Sequence, residues 1–319
     1  MASCFRIKRN MDIRPLSPEL QAKAIAELNE DPKRIPEDIK YIKEWLLKQP
    51  HLKPRTDDQF ILTFLRGCKF SLERTKEKLE TYFTMRSLLP EYFKNRDPFD
   101  PKMQELLKAG TYLPLKSSGP DTPKGFLMSL KNWDMSTTSM SDLMKLTYMI
   151  MDIVINEDDQ AVIAGIIALQ DGTGIEMKHM MAMTPSLVKK SAMLFQDAYP
   201  NRPKAMHYFN PPSFIETIFN LFKPFMKEKL MKRWHIHNTK NINDMYEFFP
   251  KSILPEEYGG DAGKIQEIID YWKNKVESYA DWYKDDEKYG CDESKRPGKP
   301  KTSAELFGIE GSFRKLNVD

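Results

Sequence analysis

Residues 161–170, AVIAGIIALQ, run for ten positions without a charge and are rich in valine and isoleucine. A strand with one wet face alternates apolar and polar side chains, whereas an unbroken apolar run needs cover on both faces. The spacing therefore predicts an interior strand over 161–170, with helices laid on each side of its sheet.

The flanking sequence supplies those partners. TYLPL (111–115) and GFLMSL (125–130) read as strands on either side of the turn-rich KSSGPDTPK. A helix is predicted from Ser141 to about Asn156. Thr184 followed by Pro185 caps another that ends near Ala198. KAMHYF (204–209) and RWHIH (233–237) read as further strands, and Asn241–Phe249 and Lys264–Lys284 as closing helices. Strand and helix alternate, which implies parallel pairing through right-handed crossovers. The first third differs. Ser17 and Pro18 open a helix to about Asn29, a second covers about 36–49, a third 57–67, and Ser71 caps a fourth to about Leu88. Pro90, Pro98 and Pro101 then mark a boundary. The expected fold class is α/β, with a mixed or parallel central sheet flanked by helices and preceded by an all-helical domain. The expected divisions are 15–98, 99–284 and an irregular tail over 285–319.

Pro211 to Arg233, PPSFIETIFNLFKPFMKEKLMKR, is predicted to be one helix with a broad apolar face. Phe214, Ile218 and Phe222 share that face with Ile215, Phe219 and Met226, while Lys223, Lys227, Lys229, Lys232 and Arg233 border it. Two readings fit: a core helix with solvated lysines, or a lid over greasy cargo that rests on an anionic membrane. Eleven of the 19 methionines lie between Met128 and Met193. Methionine suits an adaptable cavity as well as plain core filling.

Composition narrows the class. Apolar residues make up 40%, charged residues 30%, and the net charge is +3, so nucleic acid is not an expected partner. Cys4, Cys68 and Cys291 are widely spaced and odd in number, as for reduced thiols. No apolar run nears 18 residues and MASCFRIKRNMDIRP lacks the apolar stretch of a secretory signal. A cytosolic location is expected.

Chemical motifs are sparse. DGTG (171–174) superficially resembles an aspartyl-phosphate loop, but no second acidic motif for magnesium follows it. His235 and His237 are two apart on a predicted strand, with only His207 as a nearby third ligand, so packed histidines are expected and no metal. No nucleophile elbow or reactive-cysteine pattern is present, and no enzymatic activity or cofactor is expected. Arg202 and Lys204 begin one strand, and Lys229, Lys232 and Arg233 precede the next. Neighbouring parallel strands start on one edge, so these cations can converge on a charged headgroup or form a solvated rim.

LTFLRGCKFSLERTKEKL (62–79), the Asp171–Gly174 turn, TPSLVKK (184–190), QDAYPNRPKAMHYFNPP (196–212), LFKPFMKEKLMKR (221–233) and LPEEYGG (254–260) resemble the CRAL-TRIO family. The match runs in order over about residues 15–285. Among its branches the chain is most similar to the alpha-tocopherol-transfer-protein-like group, which includes retinaldehyde carriers and clavesins. The ending ELFGIEGSFRKL resembles insect members. The resemblance implies a hydrophobic cargo in a gated cavity, no cofactor, and exchange at phosphoinositide-containing membranes. By position it places the cavity on Tyr148, Met149, Asp152, Ile166, Ala168, Met183, Ser191, Leu194, Phe195 and Tyr199, with Ile215, Ile218, Phe222 and Met226 from a gate over about 213–233. It places the headgroup patch on Arg202, Lys229 and Arg233, with Lys204 beside it. Three departures stand out. Cys68, beside Lys69, replaces a patch arginine, Ile175 replaces a tryptophan, and Tyr148 and Asp152 replace small hydroxyl residues. A carboxylate in an apolar cavity needs a partner or a raised pKa, and Lys145 lies too far round its helix to be assumed as that partner. The cargo is expected to be tocopherol, a retinoid, a carotenoid or a similar lipid. The rival readings are a phosphoinositide-binding trafficking adaptor and a phosphotransferase using Asp171.

Overall fold

The computed structural model describes residues 13–237 and 242–308. Cys4, Asn241 and the end of the C-terminal signature lie outside them. Helices come first: α1 (Pro18–Leu28), α2 (Ile35–Leu47), then a short β1 (Leu52–Lys53), α3 (Asp58–Gly67), α4 (Leu72–Leu88), α5 (Pro90–Phe93) and α6 (Pro101–Ala109). Ser17, read as a cap, acts as one, whereas Ser71 stands at the N-cap of α4 without a side-chain hydrogen bond, and two further caps appear at Asp57 and Asn29. Ser17 Oγ accepts from the Leu20 amide at 3.2 Å, Asp57 caps α3 through the Phe60 amide at 3.0 Å, and Asn29 closes α1 at φ 60°. Each side-chain cap is worth about 1 kcal/mol.

The second half builds the sheet from β2 (Tyr112–Pro114), β3 (Lys124–Ser129), β4 (Ile166–Asp171), β5 (Pro203–Phe209) and β6 (Trp234–Ile236), in that spatial order. β2 is antiparallel to β3 and the remaining pairs are parallel, which makes the sheet mixed. α7 (Met140–Glu157) and α8 (Asp159–Ile163) connect β3 to β4. α9 (Met177–Met181) and α10 (Pro185–Met193) connect β4 to β5, with the Leu194–Ala198 turn continuing α10 in π geometry. α11 (Ile215–Phe222) and α12 (Glu228–Met231) lead into β6. Beyond β6 come a 3₁₀ segment (Ile242–Glu247), α13 (Ile265–Ser278) and α14 (Ala280–Asp286). Among the described residues, no helix is long and apolar enough to cross a membrane.

Three expectations need correction. The apolar run 161–170 is not one strand: Ala161–Ile163 end α8, and only Ile166 onward is extended. Asp158 caps α8 by accepting from the Ala161 amide, and Gly165 at φ +91° turns the chain into β4. A Cβ there would meet the Arg202 carbonyl oxygen at 2.5 Å. A short buried helix and a buried strand share the same apolar signature, so periodicity does not separate them. The 211–233 segment is not one helix either. Pro224 lacks an amide hydrogen and ends α11 in a 3₁₀ turn (Lys223–Phe225), and Met226 and Lys227 are extended before α12. The tail is not wholly irregular: β7 (Gly290–Cys291) pairs with β1, and α15 (Ser303–Phe307) buries Phe307. Arg296, paired with Glu80 and Glu293, fastens this tail to α4.

One large apolar core runs continuously from the bundle into the sheet. α1 stands apart. Its Leu20, Ala24 and Leu28 pack on Ile163 and Ala164 of the α8 end as a separate small cluster.

Candidate functional site

In-register residues of paired strands share a face. Two such rows cross the sheet on one side: Phe126, Ala168, Met206 and Trp234, then Met128, Gln170, Tyr208 and Ile236. Ile166, two residues before Ala168, lies on the same face. Helices cover it. The Tyr112 hydroxyl meets Met151 Sδ of α7 at 3.0 Å, and on the other flank the Trp234 ring packs against Phe219 (4.7 Å) and Phe222 (5.7 Å) of α11. Despite this cover, all four members of the second row are only half-buried. So are Met183, Leu187, Ser191 and Phe195 on and around α10, and Phe219, Phe222, Phe225 and Met226 of the 211–233 segment. The Trp234 indole N–H is buried without a hydrogen-bond partner among the described residues. The surface is mostly apolar, keeps accessible area, and carries one unused donor.

The covering segment is latched. The Gln196 side chain donates to the Phe225 carbonyl at 2.9 Å and accepts from the Lys227 amide at 2.8 Å, while Lys227 Nζ pairs with Asp197. Gln196 and Asp197 stand in the π-helical turn, which swings them off the register of α10. Sequence reasoning passed over this latch. Its only local signal was a polar QD pair directly after an apolar helix.

The predicted cavity residues divide into two sets. Ile166 and Ala168 lie on the sheet face and Phe222 packs on Trp234 above it, while Met183, Ser191, Leu194, Phe195, Ile215, Ile218 and Met226 stand on the connections from β4 to β5 and from β5 to β6, with Ser191 Oγ meeting Met144 Sδ at 3.5 Å to join α10 to α7. Tyr148, Asp152 and Tyr199 instead face the helical bundle. Tyr148 packs on Tyr92, Phe93 and Tyr199. Asp152, wholly buried, accepts from Arg96 at 2.7 Å, Arg86 at 3.1 Å and the Tyr199 hydroxyl at 2.7 Å. Asp286 of α14 binds both arginines, which completes a buried quartet roofed by the Tyr82, Phe93, Trp282 and Tyr283 rings. The expected partner of Asp152 thus comes from the bundle, 56 and 66 residues away, and the carboxylate sits in an ion cluster instead of an apolar wall. Met149 is fully buried, and its carbonyl accepts from the Tyr283 hydroxyl.

Three of the four predicted patch cations, Arg202, Lys204 and Arg233, stand at the β5 entry. Arg202 donates to the Ile163 carbonyl and Arg233 to the Pro203 carbonyl, so each guanidinium is held at the entry of β5. Sequence reasoning missed their counter-ion. Glu27 of α1 takes Arg202 (3.2 Å) and Lys204 (3.0 Å) on one oxygen and Lys23 (3.0 Å) on the other. Lys23, then Lys204 and Arg202, outweigh burial and hold its carboxyl at about 2. Lys229 is exposed at the start of α12. Cys68 does not join the group: its thiol is buried against the Arg74 carbonyl, and burial pushes it up. Lys69 is exposed beside it at φ 55°.

The other chemical motifs resolve structurally. Asp171 accepts from the Thr173 amide and hydroxyl, the Asn210 amide and the Tyr258 hydroxyl. Burial raises its pKa, but donors from Asn210, Thr173 and Tyr258 win and hold it below the usual carboxylate range. It ties the β4 and β5 ends together. His207, His235 and His237 lie on the opposite face of the sheet from Trp234. Their rings stack at 4.9 and 5.2 Å, and His207 packs on Phe248 and Phe249. A cleft of about 490 Å³ between the α7 C-terminus, β2 and α13, rimmed by Lys124, Glu157 and Lys275, contains none of the predicted residues.

Residues 114–260 match the model of the CRAL/TRIO domain, and residues 31–103 match that of the Pinta-like UBA domain. Clavesin-1 of Pongo abelii is 34% identical over 246 residues, covering 77% of this chain and 69% of that protein. Clavesin-2 of Homo sapiens is 30% identical over 285 residues, 89% of this chain and 85% of that one. Alpha-tocopherol transfer protein-like of Pongo abelii is 31% identical over 78% of this chain and 72% of its own. The crystal structure of Sfh5 superposes with a TM-score of 0.47 at 14% identity, over 78% of this chain and 89% of that one. The chain belongs to the CRAL-TRIO family.

Proposed function

We propose that this protein carries a hydrophobic lipid between the sheet face and the latched 211–233 segment, and delivers it at phosphoinositide-bearing membranes from the cytosol. One observation supports the reading: side chains of the sheet face and of the segment packed on Trp234, most of them apolar, keep accessible surface, as a wall does when its guest is absent. A relative named alpha-tocopherol transfer protein-like supports the same class of cargo. Tocopherol, retinoids and carotenoids are all of the right apolar type. The unpartnered Trp234 N–H favours those with an acceptor oxygen over a bare hydrocarbon. Burying about 500 Å² of cargo at about 25 cal/mol/Å² contributes roughly 12 kcal/mol gross. Ordering and desolvation reduce this to nanomolar or micromolar affinity. Delivery requires that a membrane bind the opened state better than the closed one. The exposed lysines 223, 229 and 232 supply part of that preference. No catalytic step belongs to this reading.

The test is mass spectrometry of an organic extract from the natively isolated protein. A stoichiometric oxygenated polyisoprenoid or lipid of similar size is expected, and Phe222→Asp is expected to retain at least tenfold less. A lipid-free extract, together with equal retention of added lipid by wild type and F222D, sinks the carrier reading.

A further inference from the structure

The cation group at the β5 entry is already occupied by part of the protein itself. Glu27 uses both carboxylate oxygens, one on Lys23 and one shared by Arg202 and Lys204. That is the coordination an incoming phosphate group would receive. The frame around it is rigid. Arg202 is pinned on the Ile163 carbonyl, and Arg233 on the carbonyl of Pro203, one residue further along. α1 is fixed at both ends: Arg14 binds Asp159 at 2.8 Å before it, and Glu30 binds Arg66 at 2.9 Å after it. Within that frame the side chains of Glu27 and Lys204 are the accessible parts, 34% and 35% exposed. α1 also lies outside both matched family regions, 31–103 and 114–260.

We propose that Glu27 is a tethered competitor that masks an anion site formed by Lys23, Arg202 and Lys204, and that it sets which anions enter. This deepens the membrane part of the function proposed above. A tethered carboxylate is present at high effective concentration and loses no translational freedom on binding. A monoanionic phosphodiester offers the same single charge and pays that cost, so it fails to displace Glu27. A phosphate monoester carries about −1.5 to −2 charges with three acceptor oxygens, and it succeeds. The site therefore selects monoester-bearing headgroups or free polyphosphates, and the selection resides in Glu27 instead of in the cations.

Calorimetry with two soluble probes tests this on the full chain. For inositol 1,4,5-trisphosphate, E27Q is expected to bind about tenfold tighter than wild type. For glycerophosphoinositol, whose phosphate is a diester, wild type is expected to show no binding and E27Q to gain it. E27A must repeat both gains, with circular dichroism unchanged. Trisphosphate binding that is equal, weaker or absent in both variants overturns the proposal, and so does a diester response that the substitutions leave unaltered. Phosphatidylcholine vesicles doped with phosphatidylinositol 4,5-bisphosphate separate the sources. Gains with the soluble probe but not with vesicles uphold the Glu27 mask for a free polyphosphate and remove the membrane from the proposed function. Cargo retention, measured alongside, is expected to be unchanged. Its absence in wild type defeats the carrier reading without touching this one.

Discussion

Asp152→Asn separates two accounts of the same carboxylate. Placed on a cavity wall, it would tune cargo and add little to stability. The structure gives it three buried donors, Arg96, Arg86 and Tyr199, within a quartet whose four side chains are at most 4% exposed. The asparagine keeps the shape and removes the charge. Two buried guanidinium groups then share only Asp286, and one side-chain amide hydrogen points at donors. A charge pair about 4 Å apart is worth about 4 kcal/mol at an effective dielectric near 20. Removing one member of a buried pair costs about 3–5 kcal/mol, because the survivor stays desolvated. Against a total stability of about 5–15 kcal/mol, that is a large share. D152N is expected to lose about 3–5 kcal/mol in urea unfolding at pH 7 followed by circular dichroism. Tyr199→Phe, which deletes one donor, is expected to lose about 1 kcal/mol. Because the quartet joins α4, α7 and α14, the D152N transition is expected to broaden as the bundle loosens first. A loss below about 1 kcal/mol, or altered cargo retention with stability intact, would refute this reasoning and return Asp152 to the cavity.

The remaining predictions address the latch and the histidines. Gln196→Ala removes two hydrogen bonds that hold the closed segment, worth about 1–2 kcal/mol together, so cargo release to acceptor vesicles is expected to quicken about tenfold, with global stability lowered by no more than about that amount. An unaltered release rate would show that the segment is held elsewhere. His207 is lowered from 6.5 to about 4, first by burial and then by His235 and His237. The folded state therefore resists a proton that the unfolded chain accepts below pH 6.5. Stability from this group is full above that value, falls as pH drops towards about 4, and totals about 3 kcal/mol. In H207Q the slope of stability against pH across this window is expected to fall by up to about 1.4 kcal/mol per pH unit. An unchanged slope would place the titration on other groups.

Local chemistry was legible along the chain. Ser17–Pro18, Asp57 and Thr184–Pro185 announce helix starts because a cap needs only the next three residues. The strand entries of Arg202 and Arg233 followed from parallel topology, and their meeting could be foreseen without coordinates. Where two local conformations share a pattern, the reading failed. Ala161–Ile163 were helix instead of strand, and Pro224 broke a segment whose apolar period suggested continuity. The alternation of strands and helices, the sheet they build and the family all follow from the order of residues, since each depends on neighbours within a few positions or on a repeated pattern. Which acid meets which base was decided by tertiary structure alone. Asp152 finds Arg96 and Arg86 across 56 and 66 residues, and Glu27 finds Arg202 across 175. A charge carries no mark of its partner, and the pairing exists only once packing has brought two distant elements within a few ångströms and excluded the water that would otherwise satisfy both.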